Sequence, residues 1–192
     1  MLPPVAQRTL TGMPKDADDS AELTSEDSAV VVPIRLPTAL TRMRRRWDAA
    51  AQAGAGPHVT ILYPFLPCSD LTPSVRVALA ALARSTQPFD VRFLTLRRFP
   101  GLVWLEPEPS APFAGLTAGM IQRWPDHLPY RGAFDEVIVH VTVVESEIAP
   151  LDTVEFVTLG TLPFRGRAER LEVWCRDAAG RWRPRWRMPF AG

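Results

Sequence analysis

Cysteine and histidine are both scarce in this chain of 192 residues, which has two of the first and three of the second. Cys68 and Cys175 have neither C-x-x-C spacing nor a secretory context, so the sequence predicts free thiols in a reducing compartment rather than a disulfide. Free thiols point to the cytoplasm, and an N-terminus without the basic start and apolar core of a signal peptide predicts a protein that is retained. No run approaches the roughly 18 apolar residues of a membrane span, so no membrane partner is expected. There is no glycine-rich loop of the P-loop or dinucleotide-binding type. A strong charge of one sign is missing too: the net charge is +1, which excludes a protein that holds long nucleic acid mainly by counterion release. A small or end-bound nucleotide remains compatible with that balance.

What is present is enough for a core. Hydrophobic residues make up 46% of the chain, suited to one ordinary domain or two small intimate lobes. The first 28 residues are rich in Pro, Ser and acid without hydrophobic period, which predicts a disordered tail over 1–28 and a more basic domain over 29–192. From Ala29 the pattern alternates. "AVVVPIRL" reads as a strand that Pro33 directs to a sheet edge. "TALTRMRRRWDAAAQAG" reads as a helix stopped by Gly54 and Gly56. "HVTILYPF" is a strand. The following helix has Thr72 as N-cap, Pro73 at its first position and Val75, Leu79 and Leu82 on one stripe. "PFDVRFLTLRRFPGLVWLEPEP" is a hairpin turning near Pro100-Gly101, followed by a helix, "SAPFAGLTAGMIQRW", and a strand, "EVIVHVTVVE". "LDTVEFVTLGTLPF" reads as a short helix, with Asp152 and Glu155 at capping-box spacing. The last hairpin turns at Asp177–Gly180 and places Arg181, Arg183, Arg185 and Arg187 on one face, opposite Trp182, Pro184, Trp186 and Met188.

The halves repeat as helix, strand, helix, hairpin, and both strands carry the tripeptide HVT. His58 and His140 lie 82 residues apart, and the same offset takes Trp104 to Trp186 and Pro107 to Pro189. Because residues i and i+2 of a strand share a face, His58 lies beside Thr60 and His140 beside Thr142, with Val59 and Ile61 turned the other way. If the repeats are related by a twofold, two imidazoles and two hydroxyls meet in one cleft. Phosphodiester hydrolysis needs one group to take a proton and another to give one, and histidine suits both tasks. Threonine hydroxyls donate to non-bridging phosphate oxygens. A single H-x-T in a strand is usually structural. Two copies at corresponding points of a duplication, using two of three histidines, argue for chemistry.

Other residues carry weaker signals. Tyr130 and Arg131, in "LPYRGAF", are candidates to stack on a base or meet a phosphate. His127 lacks an x-Thr partner and is read as solvated or structural. Phe99 and Trp104 suit either a base pocket or the core. The arginine face of the last strand suits either RNA steering or a charge-protected edge. Two distant histidines without carboxylate or thiol partners do not make a metal set.

The motifs "PHVTILYPF", "RRFPGLVWLEPEP", "LPYRGAFDEVIVHVTVV" and "VWCRDAAGRWRPRWRMPF" resemble the two-histidine phosphoesterase superfamily, in particular its 2′-5′ RNA ligase and cyclic phosphodiesterase branch. The resemblance spans about Val30 to Phe190. It implies an α/β (α+β) fold of two pseudo-twofold duplicated lobes, with mainly antiparallel sheets around a central cleft. It implies that His58 and His140 are the catalytic pair, that Thr60 and Thr142 bind phosphate, and that no metal or other cofactor is needed. One departure is Val139, which stands where many relatives have proline. The expected protein is a monomeric phosphoesterase acting on 2′,3′-cyclic phosphate or 2′-5′ linkages of RNA ends or small cyclic nucleotides. The alternative is a module that binds phosphorylated nucleotide or RNA ends without turning them over.

Overall fold

The computed structural model describes residues 28–134 and 137–192. The predicted tail therefore lies outside the described residues, apart from Ser28. That residue belongs to the domain: it is buried, its amide and hydroxyl both donate to Leu66 O, and its carbonyl accepts from Phe65 N.

In chain order the elements are β1 (Ala29–Pro33), α1 (Thr38–Trp47), α2 (Ala49–Gln52), β2 (His58–Leu62), α3 (Pro73–Arg84), β3 (Phe89–Phe99) and β4 (Leu102–Glu108). They continue as α4 (Ala111–Arg123), β5 (Val141–Glu145), α5 (Leu151–Leu159), β6 (Phe164–Ala168), β7 (Arg170–Arg176) and β8 (Trp182–Pro189). All eight strands join one antiparallel sheet in the order β6-β3-β4-β5-β2-β1-β7-β8. The α/β class and the duplicated halves are those the sequence predicts, and a single sheet runs through both lobes. Residues of β6, at one edge, line the same groove as residues of β7 and β8 at the other, so the sheet is strongly curled.

The duplication has a different boundary from the one read in the sequence. On the β2 side the order outward is β2-β1-β7-β8, and on the β5 side it is β5-β4-β3-β6. The equivalent units are thus β1-α1-β2-α3-β3 and β4-α4-β5-α5-β7, split at the Pro100-Gly101 turn, and each unit lends its last strand to the other. The helices cross over in the same way, α1 packing on β5 and α4 on β2. Trp104 and Trp186 consequently sit on strands that are not equivalent, and the shared offset does not reflect the symmetry.

Several local expectations hold. Thr72 caps α3 by accepting from Val75 N, Pro73 opens it, and Leu79 is fully buried. The helix predicted within "LDTVEFVTLGTLPF" forms over Leu151–Leu159, but Asp152 and Glu155 do not make a capping box; both bind Arg98 of β3, at 2.6 and 3.2 Å. Other expectations are corrected. β1 is an inner strand between β2 and β7, not an edge. Pro33 is tolerated there because it is the last residue of the strand, and the next amide, Ile34 N, donates to Pro57 O. The predicted helix over 38–54 breaks at Asp48, whose backbone is extended (φ −95°, ψ 117°). β5 begins at Val141, so His140 immediately precedes it, and the expected strand start at Glu136 falls on a residue not described. β6 was not anticipated.

The two cysteines are also corrected: Cys68 and Cys175 form a disulfide, with Cα atoms 6.1 Å apart across 107 residues of sequence. The cause is topological. The chain leaving β2 runs beside the start of β1 through the Ser28 hydrogen bonds, and β1 pairs with β7 at Ala29 and Trp174, so Cys68 is delivered to Cys175. The inference of a reducing, cytoplasmic compartment rested on free thiols and loses that support. No helix among the described residues is long and apolar enough to cross a membrane.

Candidate active site

β2 and β5 lie side by side at the middle of the sheet, paired at Val59 and Val141. Carrying this antiparallel register one residue each way sets His58 opposite Thr142 and Thr60 opposite His140. Val59, Ile61, Val141 and Val143 turn into the core and are essentially inaccessible. The two histidines and two threonines share the other face and are half-buried. His58 and His140 are then diagonal neighbours, a relation that separates strand positions by about 7–8 Å, and His140 is close enough for its charge to lower the His58 pKa.

Both rings are held alike. His58 Nδ1 lies 2.7 Å from Gly56 O, and His140 Nδ1 lies 2.7 Å from Ile138 O. A carbonyl only accepts, so each Nδ1 carries the proton and each Nε2 is left with its lone pair. Each ring also meets a tryptophan edge-on: Trp174 at 4.8 Å from His58 and Trp104 at 5.6 Å from His140. Burial lowers the His58 pKa from 6.5 to about 4, opposed by the Gly56 hydrogen bond and assisted by the positive charge of Arg44 and by His140. Burial lowers His140 as well, opposed by the Ile138 hydrogen bond and by the negative charge of Glu145. The two neighbours of opposite sign make the two imidazoles inequivalent.

Tyr130 joins this group. Its side chain hydrogen-bonds with that of Thr60, and burial raises its pKa. Its amide donates to Tyr63 O at 2.6 Å. Tyr130 and Arg131 are both left-handed, with φ 51° and 55°, a conformation that costs non-glycine residues roughly 1–3 kcal/mol each. Arg131 is exposed beside it. Phe99 stacks on Trp104, which is buried against His140, so this pair walls the site rather than choosing between pocket and core. His127 packs edge-on to Phe65. Among the described residues no cluster of three or more His, Cys, Asp or Glu side chains is placed to hold a metal.

The match to known families agrees with this geometry: a model of the 2′-5′ RNA ligase superfamily covers residues 32–180. The chain belongs to the 2′-5′ RNA ligase superfamily. Membership makes it a phosphoesterase- or ligase-type protein, and solved structures show the superfamily fold at low identity. The TT0787 protein of Thermus thermophilus is 16% identical with a TM-score of 0.55, the match covering 86% of this chain and 98% of that one. E. coli LigT complexed with 3′-AMP is 16% identical with a TM-score of 0.52, over 88% and 99%. LigT complexed with NADP+ is 15% identical with a TM-score of 0.50, over 87% and 99%. No curated protein matches the sequence.

Within this superfamily fold, three residues escaped sequence reasoning. Trp174 is the tryptophan beside His58; its Nε1 donates to Glu172 Oε2 at 2.7 Å, and the Glu172-x-Trp174 alternation was the available signal. Arg44 and Asp48 form an ion pair at 3.4 Å, with the two residues 2% and 1% exposed. Arg44 donates to Thr142 O, and Asp48 accepts from Glu145 N at 3.1 Å and from Ala51 N at 2.7 Å. Because β2 and β5 pair at one position only, β5 beyond Val141 has free backbone groups, and this pair supplies partners for them. The i,i+4 spacing was legible; the burial was not.

Proposed function

We propose that the protein is a metal-independent phosphoesterase that opens 2′,3′-cyclic phosphates, or cleaves 2′-5′ linkages, at RNA ends or in nucleotides. His58 and His140 act as base and acid, and Thr60 and Thr142 donate to the phosphate. The observation that carries this reading is the matched pair of imidazoles, each fixed through Nδ1 to the carbonyl two residues earlier, with both Nε2 atoms left for proton transfer.

In hydrolysis of a cyclic phosphate, a water oxygen forms a bond to phosphorus as one ribose oxygen–phosphorus bond breaks. His58, kept neutral by burial and Arg44, takes the proton from water at Nε2. His140, beside Glu145, is the group more readily protonated once the anionic phosphodiester arrives, and it gives its Nε2 proton to the departing ribose oxygen. The threonine hydroxyls hold the non-bridging oxygens as charge moves onto them. Tyr130, through Thr60, fixes the direction of that hydroxyl.

The test is incubation with a panel of cyclic mononucleotides, cyclic-phosphate-ended RNAs and 2′-5′ dinucleotides, with and without chelator, products being separated by chromatography. Turnover should be indifferent to chelator. His58→Ala and His140→Ala should each lower it by roughly 10²–10⁴-fold, and the double variant by less than the product. A wild type that binds phosphorylated ends tightly and turns over nothing would identify a binding module instead.

A further inference from the structure

A groove of about 620 Å³ opens beside Gly56 and Pro57, the residues that lead into His58. Its near end is formed by Gly56, which holds His58 Nδ1, by Pro57, and by Trp174, which packs on the His58 ring. From there it runs across the end of β1 and over β7 and β8, about 14 Å for three strand spacings. Arg165 and Arg167 of β6 close it from the opposite edge of the curled sheet.

Its charge is one-sided. Arg35, Arg165, Arg167, Arg170 and Arg187 line it against two carboxylates, Glu169 and Glu172. Glu172 is already shared between Arg170 at 2.6 Å, Arg187 at 3.4 Å and Trp174. Arg35 and Arg165 are exposed and make no ion pair with a described residue. Like charges drawn from both edges of the sheet into one concavity repel each other unless an anion lies between them.

On β4 and β3, the strands equivalent to β1 and β7, the charges are balanced. There the alternation from Thr142 through Trp104 places Glu106 and Glu108 on the cleft face, and they pair one to one with Arg97 at 3.3 Å and Arg92 at 3.6 Å. On β3 and β4 these arginines are thus neutralised in ion pairs, whereas Arg35 beyond β1 and Arg165 of β6 have no ion-pair partner among the described residues.

We infer that the arginine groove beside His58 holds the phosphodiester backbone of the RNA strand leading to the reacting terminus, so the preferred substrate is an oligonucleotide rather than a mononucleotide. The inference rests on the phosphoesterase reading of the central site and adds the direction in which the substrate leaves it. Besides its arginines and two glutamates the groove is walled by proline, glycine and Ile34, and its two tryptophans are buried at 6% and 8% exposure, so no aromatic face is open for base stacking and recognition is of phosphates.

The experiment uses the full chain with uridine 2′,3′-cyclic phosphate and with a hexaribonucleotide ending in the same group. It compares wild type, the Arg35→Gln/Arg165→Gln double variant, and Arg92→Gln/Arg97→Gln on β3. Wild type should favour the hexamer in kcat/KM, and the ratio of hexamer to mononucleotide should fall about tenfold in the first double variant and stay unchanged in the second. Anisotropy titrations of a labelled 3′-phosphorylated hexamer should show the slope of log K against log salt reduced by about 1.4 in the first variant alone, two single-strand phosphate contacts' worth. A wild type with no preference for the hexamer, or an equal loss from the Arg92/Arg97 pair, would overturn the inference while leaving the reaction intact. If wild type turns over neither substrate, the reaction reading fails, and the anisotropy slopes decide the groove on their own.

Discussion

At His58 and His140 the backbone sets the tautomer, because a carbonyl two residues upstream takes the Nδ1 proton of each ring. Burial lowers both pKa values, and the neighbouring charges then differ: Arg44 adds to the lowering of His58, and Glu145 works against that of His140. Both pKa values lie below 6.5 in the free protein, so kcat/KM should be bell-shaped with its maximum on the acid side of that value. The alkaline limb of kcat should lie higher, since a bound anion favours protonated His140. Glu145→Gln should move the alkaline limb of kcat/KM to lower pH and leave the acid limb in place; pH–rate profiles read both. The same shift bears on stability. The folded state holds His58 near pKa 4 and the unfolded chain near 6.5, so the unfolded state takes up the proton first. The contribution is fully present above pH 6.5 and is lost as pH falls toward 4, by about 3 kcal/mol. Urea titrations at pH 7 and pH 4 should show a smaller loss for His58→Gln than for wild type.

At the scale of elements, the join between β2 and β5 is the point on which the site depends. A fully zipped ladder would leave no opening at Thr142, whereas a single bridging pair leaves β5 partly unclaimed. The α1–α2 break supplies what is missing: Asp48 ends one helix, caps the next through Ala51 N, and holds Glu145 N, while Arg44 holds Thr142 O. Removing one member leaves a buried charge without its partner. Asp48→Ala should therefore cost about 3–5 kcal/mol, measured as a lowered denaturation midpoint. The exposed pair of Arg167 with Asp90 is screened by solvent, and Asp90→Ala should change stability by less than about 1 kcal/mol.

Over the whole molecule, exchange of the terminal strands β3 and β7 binds the two units into one sheet, so neither has a complete set of neighbours alone. The Cys68–Cys175 bridge reinforces this by closing a loop of 107 residues. Its removal in the Cys68→Ser/Cys175→Ser variant should lower stability by about 2–4 kcal/mol, seen in urea unfolding under oxidising conditions, with the difference from wild type abolished by reductant.

The sequence by itself determined the local and the periodic: the two HVT strands and the faces of their residues, the Thr72-capped helix, both hairpin turns and the existence of a duplication. Each depends on residues a few positions apart, whose geometry follows from strand and helix periods and turn chemistry. Only the tertiary structure decided which strands are neighbours. That placed β1 inside the sheet despite Pro33, put Trp174 against His58, buried Arg44 with Asp48 and brought Cys68 to Cys175. These contacts depend on the exchange of strands between the two units, and composition and spacing along one chain carry no record of which distant edge a strand will join.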